Sequence, residues 1–309
     1  MNVDHIQSLS QFVFGQHPSY VEKKTIGICN EVYEIGLKSG PVILRMNTQK
    51  DLLYGTHKFL PLFKELGIKT PDILADDYTQ DDFPFCYQFL TKLEGKDLGI
   101  VMEQLSSENL KGIAAEISDI FDKFNTLPYQ KSFGGIRGVS EEHLPSYWHI
   151  IQNKREGLLK ATIEKKVIEH RSFDILDELI GRYEAYFKEL KPRLFYDDIC
   201  SKNVMIHEGQ FMGLVDLDFM SKGDYLEAIG TILASYHGTA YGRVYLDEII
   251  KLQGLNDFHR QIVHFYAILH LIGWTSEAGR VFNSNTTGVI NWERVKRNNQ
   301  AVKEIYEQM

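Results

Sequence analysis

In the stretch Tyr196-Asp-Asp-Ile-Cys-Ser-Lys-Asn203, an aspartate, Asp198, stands five residues ahead of an asparagine, and a second aspartate, Asp216, follows eighteen residues after the first. Phosphoryl transfer from a metal-bound nucleotide needs such a set: one carboxylate to accept a hydroxyl proton, and two further oxygen ligands to hold magnesium on the phosphates. Asp198 suits the first role, and Asn203 and Asp216 the second. Taken singly, Asp198 and Asn203 would read as turn caps, which Asp and Asn often are. It is the spacing of all three on one frame that favours chemistry.

That frame is a set of short strands. Leu194-Phe195-Tyr196 reads as an apolar strand ending at Asp198, Val204 to Ile206 as a second, His207 to Gln210 as a turn, and Phe211 to Val215 as a third strand delivering Asp216. Upstream, Thr25 to Ile35 alternates, Lys38-Ser-Gly40 turns, and Pro41 to Arg45 resumes, which predicts a β-hairpin. Leu52 to Leu66 has helical apolar spacing, with Pro61 predicting a kink or a helix start. Ile73 to Asp76 and Phe85 to Leu93 read as further strands. After Gly95 the periodicity becomes helical, over Glu108 to Asn125, Ser172 to Leu190, Leu226 to Ser235 and Asp257 to Trp274, with Ser132 to Gly138 as an interrupting loop. The expected organisation is α+β, with a small β-rich unit over 1–94 and a larger, mainly helical unit over 95–309.

Composition bounds the partners. The 309 residues are 43% apolar, enough for one large core or two modest ones. Cys29, Cys86 and Cys200 are widely separated with no CxxC pair, which argues against a disulfide framework or a zinc site and fits a reducing cytoplasm. The start of the chain lacks the basic and apolar blocks of a signal peptide, and no segment has the apolar length of a membrane span. A net charge of −8 disfavours nucleic acid and is compatible with a cationic small partner. Monomer and homodimer are equally compatible with the sequence.

The Asp-x-x-x-x-Asn motif, the apolar hairpin and the following Asp together resemble the catalytic core of the protein-kinase-like fold, in the version of the aminoglycoside phosphotransferase family. That family carries His-Gly-Asp, then Asn, then Ile-Asp-Trp and a later Gly-Asp. Here the corresponding residues are Tyr196-Asp197-Asp198, Asn203, Val215-Asp216-Leu217-Asp218 and Gly223-Asp224. The resemblance implies a two-lobed kinase-like fold, Asp198 as catalytic base, Asn203 and Asp216 on Mg2+, and ATP or GTP as phosphoryl donor. Tyr196 and Asp197 depart from the family's His and Gly. Because neighbouring strand residues point to opposite sides, Asp197 is expected to face away from the base.

The same resemblance assigns a nucleotide site to the first unit. Gly27 and Asn30 match the sparse Gly-x-x-Asn form of its phosphate-covering loop, and Arg45 stands where kinase-like folds place a cation on the phosphates. Asp51, or more distantly Glu65, is the candidate acidic partner of Arg45. The connecting segment with Leu90, Thr91 and Leu93, closed by Gly95, is expected to offer main-chain groups to the purine.

The acceptor is a small molecule with a hydroxyl group. The layout around Val42 to Arg45 and Pro71 to Ile73 resembles the hygromycin-type branch, which points to an aminoglycoside-type antibiotic. Kinases for choline, homoserine, thioribose and other sugar-like acceptors share the scaffold, and a catalytically weak nucleotide-binding module is the alternative of another class. A cationic acceptor would need carboxylates, for which Glu141, Glu142, Asp247, Glu248 and Glu277 are available. His264 and His270, six apart, lack metal-pair spacing, and they and Trp274 read first as core.

Overall fold

Strong alternation near the amino end produces a sheet, and the computed structural model describes residues 3–24, 29–199, 201–281 and 287–309. Helix α1 (Val3–Phe14) precedes β1 (Val21–Lys24), β2 (Glu31–Leu37) and β3 (Gly40–Asn47), then α2 (Tyr54–Glu65), β4 (Ile73–Asp77) and β5 (Cys86–Thr91). The five strands form one antiparallel sheet in the order β1-β2-β3-β5-β4. The predicted hairpin is its β2–β3 pair, joined at Leu37 and Gly40. Ile6 and Leu9 of α1 pack with Tyr33, Ile35, Leu44, Met46 and Phe89 in a core of this sheet alone.

On the chain goes through β6 (Lys96–Asp97), α3 (Leu98–Val101), α4 (Ser107–Asn125), β7 (Gly134–Arg137), β8 (Ser140–Glu141), α5 (Tyr147–Lys165), α6 (His170–Arg182) and α7 (Glu184–Glu189). Then come β9 (Arg193–Phe195), β10 (Val204–His207), β11 (Gln210–Leu214), β12 (Phe219–Gly223), α8 (Leu226–Tyr236), α9 (Ala240–Leu252), α10 (Asp257–Ser276) and α11 (Trp292–Glu307). This is an α+β, kinase-like architecture with a β-rich amino-terminal part and a helical carboxy-terminal part. None of the described helices is long and apolar enough to cross a membrane.

Four local expectations are corrected. The segment from Ser132 to Gly138 contains β7, because Gly134 to Arg137 pairs with Phe219 to Lys222 of β12. The helix expected over 172–190 is two, broken where Tyr183 leaves helical geometry (φ −107°, ψ 16°) to bury its ring. Helix α2 begins at Tyr54 and runs through Pro61, its other residues supplying a continuous apolar face. Strand β9 ends at Phe195, so Tyr196 to Asp198 lie beyond it and the strand alternation does not govern Asp197.

Helix α2 belongs to the larger core. Its Phe59, Leu60 and Phe63 join the carboxy-terminal cluster rather than the sheet's own, with Phe63 edge-on to both Phe124 and Tyr196. Periodic burial explains α4, whose Leu110, Ile113, Ile117, Phe121 and Phe124 line one face. Two-residue β6 pairs with β10 through Asp97 to Met205 and Lys96 to Ile206, stitching the connecting segment to the β10–β11 hairpin. Gly95 makes that contact possible: at φ +102°, a Cβ would sit 2.1 Å from the carbonyl oxygen of Ile206.

Candidate active site

Hydrogen bonds tie together the segments that carry Asp198, Asn203 and Asp216. The carbonyl of Asn203 accepts from the Val215 N–H at 3.0 Å. The Asn203 amide donates to the Asp198 carbonyl at 2.9 Å and to the Tyr196 hydroxyl at 3.1 Å. That hydroxyl in turn donates to the carbonyls of Val215 at 3.0 Å and Asp216 at 3.2 Å. One phenol thus ties the Asn203 side chain to the segment bearing Asp216.

Their exposure differs in a useful way. Asn203 is buried, with both amide hydrogens spent on the protein, so its Oδ1 is the atom left to act as a ligand. The side chains of Asp198 and Asp216 are 39% and 38% exposed. Asp216 takes a left-handed backbone (φ +63°), a conformation that costs a non-glycine residue about 1–2 kcal/mol and that collects at functional sites. Among the described residues no three His, Cys, Asp or Glu side chains form a metal cluster. Mg2+ is commonly held by one or two protein carboxylates plus phosphate oxygens, and the pair Asn203 and Asp216 fits such an ion as a partial donor set.

Arg45 is buried behind Asp216. Its Nη2 donates to Asp216 Oδ1 at 2.7 Å and to Asp218 Oδ2, and its Nη1 to Thr56 Oγ1 at 2.9 Å. Burial opposes the charge, but the carboxylates of Asp218 and Asp216 outweigh it and push the guanidinium pKa up. Asp218 also accepts from Thr56 N at 2.9 Å, Thr56 Oγ1 at 2.7 Å and Asn30 Nδ2 at 3.1 Å. The expectation that Asp51 or Glu65 partners Arg45 is therefore corrected. Asp51 instead accepts from Val139 N at 2.8 Å and from the amide and hydroxyl of Ser140 at 3.0 and 2.8 Å.

The remaining nucleotide-site candidates divide. Gly27 lies outside the described residues, as does Cys200. The side chain of Asn30 is committed inward, to Asp218, the Leu52 carbonyl and Asn47. Leu90 is a buried residue of β5, and the Thr91 N–H already donates to the Asp72 carbonyl at 2.9 Å. Leu93 is half-buried and lies beyond β5.

Beside Asp198 lies a second set of ionisable groups. Asp197 accepts from the Ser221 hydroxyl at 2.7 Å, while its Oδ1 is buried without a partner. Burial pushes its carboxyl up to about 7, with Glu227 and Asp198 adding to the effect. Burial would raise Glu227 too, yet the neighbouring Lys154 and His270, and hydrogen bonds from Lys154 and Tyr147, bring it down to about 2. His270, stacked at a tilt on Trp274, is lowered to about 4 by burial.

Most of the carboxylates available for a cationic acceptor have partners of their own. Glu141 pairs with buried Lys222 at 2.7 Å, Glu142 accepts from the Gly135 N–H, Glu248 pairs with Lys251 and Glu277 with Arg280.

Thr56, Gly55 and Lys222 carry no sequence signal of a role, and Asp218 is legible only as part of the Asp-x-Asp pair. Asp218 carried a signal, its position two residues after Asp216 in an otherwise apolar stretch.

A five-stranded sheet over a helical lobe, with an Asp-Asn-Asp hairpin at their junction, defines a kinase-like phosphotransferase. The chain belongs to the phosphotransferase enzyme family, whose model matches residues 25–266. No curated protein matches the sequence. Among solved structures, the chain is similar to a thermostable mutant of aminoglycoside phosphotransferase APH(4)-Ia in ternary complex with AMP-PNP and hygromycin B, at TM-score 0.73 and 12% identity over 98% of each chain. It also resembles aminoglycoside 2'-phosphotransferase-IIIa in its GDP complex, at TM-score 0.68 and 14% identity over 100% of this chain and 99% of that one. A putative fructosamine-3-kinase from Haemophilus somnus matches at TM-score 0.66 and 13% identity, over 97% and 96% of the two chains.

Proposed function

We propose that this phosphotransferase moves the γ-phosphoryl group of ATP or GTP to a hydroxyl of a small molecule, with an aminoglycoside-type antibiotic as the first acceptor to test. In this reading residues 1–94 form the nucleotide lobe and residues 95–309 the catalytic and acceptor lobe. Asp198 accepts the acceptor's hydroxyl proton and aims its oxygen at the phosphorus; the P–O bond to the nucleoside diphosphate breaks as the new one forms. Asn203 Oδ1 and Asp216 hold Mg2+, which when bound offsets charge on the donor phosphates. Arg45 supplies a fixed cation behind them, and the main chain near Leu93 faces the purine.

The observation that carries this reading is the tie of Asn203 to Asp198 and, through the Tyr196 hydroxyl, to Asp216. Solved neighbours named for aminoglycoside phosphotransfer, with bound AMP-PNP or GDP, support the donor class and the first acceptor guess. A second reading, a metabolite kinase for an amino alcohol or sugar-like acceptor, is favoured by one observation. Four of the five candidate acceptor carboxylates are already satisfied within the protein, which a polycationic ligand would have to outcompete.

A coupled nucleotide-consumption screen across aminoglycosides, macrolides, amino alcohols and sugars tests both, with Asp198→Asn as the blank. We expect Mg2+-dependent turnover with one acceptor class, lowered by about 10²-fold or more in the variant. Turnover by Asp198→Asn at the wild-type rate would remove the base assignment, and nucleotide binding without transfer to any hydroxyl would leave a binding module.

A further inference from the structure

We infer that Asp218 is a positioning residue for the phosphate cation: a carboxylate of the catalytic lobe that seats Arg45 and docks the start of α2. The inference rests on the phosphotransferase reading above. Kinase-like sites generally hold their phosphate cation with an acid on the helix that follows it. Here that helix offers Thr56 toward Arg45, and its first turn carries no acid.

The contacts of Asp218 account for the difference. Its Oδ2 receives Arg45 and Asn30, and its Oδ1 receives both the N–H and the hydroxyl of Thr56. With both oxygens committed and only 9% of the residue exposed, Asp218 is unsuited to an ion that also needs phosphate ligands, unlike half-exposed Asp216. Helix α2 has no side-chain cap at Leu53, so the Asp218 carboxylate, bonded to the Thr56 N–H, serves as its cap from a distant segment of the chain.

Two independent features show that this docking is built in. Gly55 lies so close to the Asp218 backbone that a Cβ would meet its carbonyl oxygen at 2.1 Å. Phe59, Leu60 and Phe63 then anchor α2 in the carboxy-terminal core. Arg45, Thr56 and Asp216 are thereby held in one hydrogen-bonded unit with the metal-side segment, without a helix that must swing inward to complete it.

The test compares full-length Asp218→Asn, Gly55→Ala, Thr56→Val and Asp216→Asn by Mg·ATP and Mg·GTP binding, kcat, KM and the Mg2+ concentration giving half-maximal rate. We expect Asp218→Asn to weaken nucleotide binding about tenfold or more, with its Mg2+ requirement at saturating nucleotide within twofold of wild type. Asp216→Asn shifts that requirement instead. Gly55→Ala should weaken nucleotide binding about fivefold even though alanine favours a helix, and Thr56→Val less so. Gly55→Ala and Thr56→Val keep the test open if Asp218→Asn does not fold. Nucleotide binding within twofold of wild type in Gly55→Ala and in Asp218→Asn overturns the inference, as does a Mg2+ shift in Asp218→Asn matching that of Asp216→Asn. Wild-type protein that neither binds nucleotide nor transfers phosphate overturns the function itself, a separate outcome.

Discussion

The Asn203 amide and the Tyr196 hydroxyl meet at 3.1 Å, and the same hydroxyl spans to the backbone of Val215 and Asp216. A phenol can both accept and donate here, so one buried atom sets the side-chain angle of one proposed metal ligand and the backbone of the other.

Tyr196→Phe keeps the ring against Phe63 and removes only that atom. Losing the bond should cost about 1–2 kcal/mol of stability and, by freeing Asn203 to rotate, raise the half-maximal Mg2+ concentration several-fold. Thermal melting and Mg2+ titration of turnover check the two effects separately.

Asp197 gives a pH dependence whose sign is fixed by its buried carboxyl. Its pKa is raised to about 7 from the ordinary aspartate value of 3.8, so between those values the folded protein binds more protons than the unfolded chain. Stability from this group is therefore full below about pH 4 and is lost as pH rises through about 7. Asp197→Asn, which never ionises, should gain on the order of 2 kcal/mol over wild type at pH 8 and much less at pH 5. Urea midpoints at the two pH values measure this; equal differences would remove the assignment.

Lys222 and Glu141 make an asymmetric pair. Lys222 is 2% exposed and also donates to Ser132 Oγ and the Glu142 carbonyl, whereas the Glu141 side chain is 38% exposed. Removing the acid leaves a buried ammonium without its counter-charge, while removing the amine leaves an acid that water can reach. Glu141→Ala should accordingly cost about 2–4 kcal/mol and Lys222→Met about 1–2 kcal/mol, by chemical denaturation at pH 7.

The hairpin was legible because its chemistry is local: Asp198, Asn203 and Asp216 lie within nineteen residues, and apolar alternation placed strands around them. Helix α4 was equally legible from its 3.6-residue burial. Contacts between distant segments were not. The Asp218 carboxylate reaches Thr56 across 162 positions and Arg45 across 173, and no periodicity encodes such a meeting. Strand β7 was hidden for a related reason. Its glycines have weak strand preference of their own, and pairing with β12 supplies what they lack. The extent of β9 was misjudged by carrying it past Phe195 to Asp198, where alternation no longer applies.

Asp51, just ahead of α2, holds the turn at Val139 and Ser140, and Asp218 holds Thr56 in the first turn of the helix. The segment over residues 50–56 is thereby fixed at two places to the carboxy-terminal part of the chain. Neither fastening can be lost without loosening the turn that leads into α2 and, through Thr56, the contact of Arg45 with that helix.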